Sequence, residues 1–451
     1  MKKLVRITII IYLFTWLGVF LFVVIGVAAN ERTLWDGVTT FFNIAPSPSF
    51  LKGFHFLFVI VYLFFLLIRY YLRVFRKKGY KEFLKRLVLY ALLPTIFLVS
   101  GYNALVYLNS QEDFIYAWDN SVENENKVSN DHYIADGKHR GMSVFGWNRD
   151  NDSAISELVR NNIEWVAVIP FFYQKDEQTH SIHVRDTYDG WSRHDSIFIN
   201  SIQQLHDKGI HVQLKPHLWM SSGWRSNINL TSRTHWDAWF DSYRINMLHY
   251  ARMAQETNVE LLCIGTELKT STRQQPEKWH ELIEAIKSIY HGKLTYAANW
   301  DDEYKGVDFW DQLDYIGIQA YFPLTETKNP DLESIKNGWD KHLTSLERFS
   351  KQHDKPILFT EVGYKSETSS TIKPWEWGSF LSILHKKRSN RTQLFAYEAL
   401  FQKLWSQEWF AGIYIWQWDT RSTPEYAAKS LNFSPRFKPA ENIIAKWYGK
   451  R

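Results

Sequence analysis

Eight short apolar runs, at 141–147, 165–171, 211–216, 261–265, 294–299, 315–320, 357–359 and 412–416, recur along this chain with amphipathic stretches between them. Runs of that length, continuous instead of alternating, read as strands buried on both faces. The stretches at 153–161, 197–208, 234–257, 276–290, 331–351 and within 375–407 read as helices. Pro276 and Pro374 stand where a helix start tolerates proline, and Gly209 follows the second helix as a stop. The connection between the fifth and sixth runs is short, so its helix is small or degenerate. Strands that alternate with helices must pair in parallel. Eight such units predict an α/β fold, a (β/α)8 TIM barrel with enlarged loops, over 137–451.

A chain of 451 residues exceeds one ordinary domain, and its membrane-grade sequence lies in the first hundred. Apolar runs at 7–29, 54–71 and 87–108 each approach the roughly 20 residues needed to cross a bilayer as helix, which predicts three transmembrane helices over 1–108. The first is too long for a signal peptide, lacks a small-residue cleavage site and is followed by two more. Between the second and third, the basic run from Arg69 to Arg86 is cytoplasmic by the positive-inside rule, and Lys2, Lys3 and Arg6 put the N-terminus on the same side. The third span then delivers the barrel to the outer, periplasmic or extracellular, side. The bilayer is thus one partner, and three helices where one would tether suggest a membrane-protein partner as well. The basic run is too deep among membrane spans to serve nucleic acid, and it accounts for most of the net charge of +5. Residues 109–136 are polar and read as a linker. Cys263 is the single cysteine, so the exported domain has no disulfide framework and is held by its core.

Glu267 in Ile264-Gly-Thr-Glu-Leu268 and Glu361 in Phe359-Thr-Glu-Val-Gly-Tyr364 each sit where an apolar run gives out into a polar loop. In a parallel barrel that is the end that carries chemistry, and two carboxylates converging on one bond are what glycoside hydrolysis requires. The other strand ends carry residues that make poor core: Lys215, His217 and Trp219 after the third, Asn299 and Trp300 after the fifth, Tyr321 after the sixth, Trp416 in the eighth. Sugars present apolar C–H faces edged with hydroxyls, so aromatic platforms beside hydrogen-bonding side chains suit them. There is no His-Glu-x-x-His, paired cysteine or spaced His cluster for a metal, no Gly-x-Ser-x-Gly elbow, and no phosphate-binding glycine motif, so neither metal nor cofactor is expected.

With these residues placed, the segment from about Lys138 to Tyr448 resembles a clan A glycoside hydrolase, most closely glycoside hydrolase family 113, the β-mannanase-like barrels. The resemblance implies a retaining mechanism with Glu361 as nucleophile and Glu267 as acid/base, their carboxyl groups about 5–5.5 Å apart. Glu267 should start protonated, its pKa raised by the neighbouring carboxylate and apolar walls. The resemblance also implies that Tyr321 hydrogen-bonds the nucleophile and that Trp416 floors the subsite where the bond breaks. Lys215, His217, Trp219, Asn299 and Trp300 are candidates to hold hydroxyls or stack a ring. Many clan members carry Asn immediately before the acid/base, where this chain has Thr266, so β-mannan and other β-linked polysaccharides or oligosaccharides both stay open. The alternative from another class is an anchored glycan-binding barrel without turnover. A transporter would need ionisable residues in the spans, which carry almost none.

Overall fold

The computed structural model describes residues 2–28, 33–112, 114–115, 131–184, 187–188, 191–192, 195–378 and 382–450. They form two compact units, Met1–Ala104 and Leu105–Arg451. Residues 116–130 of the expected linker lie outside the described residues.

Among the described residues two helices, not three, are long and apolar enough by length and composition to cross a membrane: Val5–Ala28, in the first unit, and Phe50–Ser110, which begins there and runs on past it. The expected second and third spans fall inside the latter, because little in the intervening sequence can end a helix. Only Gly79 leaves helical geometry, at φ 78 and ψ 175. The chain folds back there. Tyr71 donates to the carbonyl of Arg86 at 3.3 Å and its ring meets Phe83 at 5.8 Å, whereas fifteen residues of straight helix would span about 22 Å. Further on, Pro94 has no N–H to give the carbonyl of Tyr90, and the turn before it, Val88–Leu92, winds as π-helix. Helix Leu34–Ile44, opened by a Thr33/Asp36 capping box, approaches the first helix closely: a Cβ on Gly37 would stand 2.7 Å from the backbone of Val24.

The second unit is a closed barrel of eight parallel strands: β1 (His139–Phe145), β2 (Trp165–Val168), β3 (His211–Leu214), β4 (Leu261–Thr266), β5 (Lys293–Asn299), β6 (Tyr315–Gln319), β7 (Ile357–Val362) and β8 (Phe410–Asp419). Each neighbours the next in chain order, and β8 closes on β1. Outward residues such as Val166, Val212, Leu262, Ile316 and Ile318 pack under the helices in one large core. A smaller interior cluster, including Trp165, Tyr315 and Tyr414, fills the barrel axis. His139 stacks on Trp165 at 3.8 Å and meets the hydroxyls of Tyr414 and Tyr315 at 2.9 and 3.3 Å. Burial pushes its pKa well below the ordinary value, so it sits there as a neutral ring able both to donate and to accept. This plug lies at the N-terminal strand ends and leaves the opposite mouth for chemistry.

Three departures from the sequence expectation have clear causes. Runs 165–171 and 211–216 both shorten at prolines, Pro170 and Pro216, which cannot donate to a ladder. Beyond them the chain pairs again as a parallel two-stranded lip, Phe171–Gln174 with His217–Met220. The helix expected within 375–407 begins only at Asn390, where the Ser389 side chain caps the Thr392 N–H. The C-terminal helix Pro439–Tyr448, unanticipated from the sequence, packs back on the barrel, its last tyrosine donating to the carbonyl of Gly141 at 2.8 Å.

Candidate active site

Glu361 lies in β7 with its carboxylate almost wholly buried. Three donors converge on it. Lys215 Nζ reaches Oε2 at 3.0 Å, Gln319 Nε2 reaches the same oxygen at 2.9 Å, and the Tyr321 hydroxyl donates to Oε1 at 2.5 Å. Lys215, just past β3, spends its remaining protons on Gln319 Oε1 and the carbonyl of Thr360, both at 2.9 Å. Lys215 therefore orients the carboxylate and has no proton left for a sugar hydroxyl. A side chain that accepts three times and donates never is what an acceptor-only carboxylate requires. Burial, and after it proximity to Glu361, pushes the Tyr321 hydroxyl pKa well up, so the phenol keeps its proton and donates it. Gly363 allows β7 to press on β8 here, since a Cβ would meet the carbonyl of Trp416 at 2.5 Å.

Glu267 follows β4 immediately and is equally buried. Its surroundings differ from those of Glu361. Asn299 Nδ2 donates to Oε1 at 2.9 Å and Arg225 Nη2 to Oε2 at 2.6 Å. Burial pushes its pKa up, the Arg225 guanidinium opposes that, and the charge on Glu361 adds to it; the net direction is upward. The backbone here is left-handed, at φ 52. It is held so by its own N–H to the carbonyl of Ala297 at 2.9 Å and by Ser226 Oγ donating to its carbonyl at 2.7 Å. A non-glycine residue in that region stores about 1–3 kcal/mol, a cost that functional sites often carry.

Behind Asn299 stands a third carboxyl group. Glu303 accepts from the Asn299 N–H at 2.8 Å and from the Tyr296 hydroxyl at 2.6 Å, and burial pushes its pKa up to about 8. Tyr296 in turn receives the Leu268 N–H at 2.7 Å, so the loop after β4 is fixed from below.

Aromatic rings surround the two carboxylates. Trp416 lies nearly parallel to the buried His217, with centroids 6.1 Å apart, and edge-on to Phe145 at 4.9 Å. Burial, with Lys215 and Arg225 nearby, holds the His217 pKa well below its ordinary value, so this ring is neutral; its Nε2 and the Trp416 Nε1 have no protein partner. Trp300 stacks on Trp375 at 5.0 Å, and Trp377 stands edge-on to Trp416 at 6.4 Å. Trp219 is more than half exposed on the lip, edge-on to Phe171. The sequence-derived residues thus divide into those bonded to the carboxylates (Lys215, Asn299, Tyr321) and those presenting rings (His217, Trp219, Trp300, Trp416).

Arg225 and Gln319 were not among the candidates. Gln319 is the last residue of β6, so its strand-end position was itself a signal. Arg225 sits in a short 3-10 turn, Arg225–Asn227, with no periodic pattern around it. Among the described residues no group of three or more His, Cys, Asp or Glu side chains could hold a metal ion.

The model of Glycoside Hydrolase Family 113 matches residues 144–435. Among solved structures, the chain is similar to a β-1,4-mannanase of that family determined as a complex, at 27% identity over 70% of this chain and 99% of that one, with a TM-score of 0.61. It is also similar to the β-mannanase AaManA from Alicyclobacillus acidocaldarius, at 25% identity over 69% and 97% of the two chains, with a TM-score of 0.60. No curated protein matches the chain.

Proposed function

Since this chain belongs to glycoside hydrolase family 113 and is thus a glycoside hydrolase, we propose that it is a membrane-anchored retaining β-glycosidase of β-1,4-linked mannan or a closely related β-linked glycan. The observation that carries this reading is the pair Glu267 and Glu361, at the ends of β4 and β7 on one barrel mouth, with opposed surroundings. In the first step a Glu361 oxygen attacks the anomeric carbon and the bond to the leaving oxygen breaks. Glu267 gives that oxygen its proton, for which the upward direction of its pKa suits it. In the second step Glu267, now ionised, takes a proton from water. The water oxygen bonds to the anomeric carbon and Glu361 leaves as carboxylate. Lys215, Gln319 and Tyr321 hold the departing charge. Trp416, Trp300 and Trp219 offer faces for successive sugar rings. The mannan assignment draws on the two β-mannanases the chain is similar to; Thr266, where Asn is usual in the clan, keeps related glycans in the test panel.

Anchoring is read from the apolar helix Val5–Ala28 and the two arms of Phe50–Ser110 on either side of Gly79. The basic turn between those arms faces the cytoplasm and the barrel faces out.

The test is Glu267→Ala assayed on two substrates. Hydrolysis of the natural β-linked glycan should fall by a factor on the order of 10² to 10⁴, the usual worth of general acid catalysis. An activated aryl glycoside needs no proton to leave, so it should give a fast burst followed by slow deglycosylation that azide accelerates. Equal losses on both substrates, without azide rescue, would remove Glu267 from the mechanism.

A further inference from the structure

A cavity of about 800 Å³, sharing no residue with the catalytic mouth, lies among the loops after β6 and β7 and residues Gln111, Glu112 and Phe114. Four basic side chains line it: Lys328, Lys387, Arg388 and Arg391. None of the four forms an ion pair among the described residues, although Lys365 and Lys386 close by are paired with Glu367. The carboxylate in the lining, Glu112, is already committed to the backbone N–H groups of Asn390 and Arg391, at 2.7 and 2.9 Å. Arg388 donates through Nη1 to the carbonyl of Ala428, while its Nε is buried with no acceptor. Four cations with no ion-pair partner among the described residues, gathered on one cavity, form a receptor for an oxyanion with several oxygens.

The position of the cavity in the chain points to the source of that oxyanion. The N–H of Arg388 donates to the carbonyl of Asn109 at 2.8 Å, in the last turn of helix Leu93–Ser110. That turn carries the exposed Tyr107 and Leu108, an aromatic and aliphatic pairing suited to a bilayer's edge. We propose that the cavity binds the phosphate of an acidic phospholipid headgroup in the leaflet where this helix ends. Basic side chains at such a boundary are what acidic headgroups attract. The proposal rests on reading Phe50–Ser110 as membrane-embedded.

The experiment is hydrogen exchange of the full chain in nanodiscs of phosphatidylcholine alone, of phosphatidylcholine with phosphatidylglycerol, and of phosphatidylcholine with added inorganic phosphate. Phosphatidylglycerol should slow exchange of the 385–391 amides by roughly tenfold, as binding to the closed form requires. The variant Lys328→Gln/Lys387→Gln, which removes two exposed cations that make no contact the fold needs, should abolish that slowing and leave glycan hydrolysis unchanged. Lys77→Gln/Lys78→Gln, in the basic turn of the first unit, should leave the slowing intact. Slowing by inorganic phosphate but not by phosphatidylglycerol would overturn the lipid in favour of a soluble anion; no slowing by either would overturn the site. Protein recovered in the soluble fraction after alkaline carbonate extraction would instead overturn the membrane reading, and this proposal with it.

Discussion

Lys215→Met replaces a buried ammonium by an apolar side chain of similar length. In the parent all three ammonium protons have acceptors, on Glu361, Gln319 and Thr360, at 2.9 to 3.0 Å. The variant leaves Glu361 with the neutral donors Gln319 and Tyr321 and no cation. It also strands the carbonyl of Thr360. Removing one partner of a buried ion pair costs about 3–5 kcal/mol, chiefly because a charge is left uncompensated in a low-dielectric interior. If that is the cause, neutralising the other partner should recover stability. The double variant Lys215→Met/Glu361→Gln should regain about 2 kcal/mol over the single, leaving mostly the stranded acceptor at about 1–3 kcal/mol. The assay is urea unfolding of the full chain in detergent followed by tryptophan fluorescence, comparing midpoints at constant slope. A single variant within about 1 kcal/mol of the parent would refute the reasoning. So would a double variant no more stable than the single, since the penalty would then be one of shape and not of charge.

Three further outcomes are expected. Glu361→Ala should abolish turnover of β-linked glycans, and azide or formate should restore part of it with inverted product, seen by NMR of the released sugar; near-parental activity without added anion would exclude Glu361 as nucleophile. Arg225→Met removes the cation that favours ionised Glu267, so its pKa should rise further and the acid stay protonated to higher pH; the alkaline limb of kcat/KM should move upward, and an unmoved limb would exclude an electrostatic role for Arg225. Glu303, with a folded pKa of about 8 against 4.5, binds a proton in the folded state that the unfolded state has lost. Its contribution to stability is therefore present below about pH 4.5 and declines as pH rises toward 8. Glu303→Gln should flatten that part of the profile, measured as unfolding midpoint against pH.

All eight barrel strands were legible because strands covered on both faces are written as short, continuous apolar runs, and periodicity needs no tertiary information. What the sequence could not supply was how strand-end residues pair across the mouth. Lys215 and Gln319 come from different strands and meet Glu361 only when the barrel closes. Arg225 belongs to a loop with no repeating pattern, and its bond to Glu267 is a property of the folded loop alone. The segment ahead of Asn390 looked helical by composition, yet Trp375 and Trp377 face Trp300 and Trp416 instead. Tertiary contact there overrides local preference. In the first unit hydropathy located the apolar sequence, but the fold-back depends on one residue, Gly79, whose geometry composition does not announce.

The left-handed backbone at Glu267 has a consequence for descent. Glycine adopts that conformation without steric cost, and asparagine tolerates it better than glutamate. Either replacement relieves backbone strain of about 1 kcal/mol, yet it also strips the Arg225 guanidinium of its carboxylate, a loss that outweighs the relief. The strained glutamate and the arginine beside it are therefore bound to change together. Lineages of such barrels that have abandoned catalysis should show glycine or asparagine at this position more often than alanine, and a neutral residue in place of Arg225 alongside it.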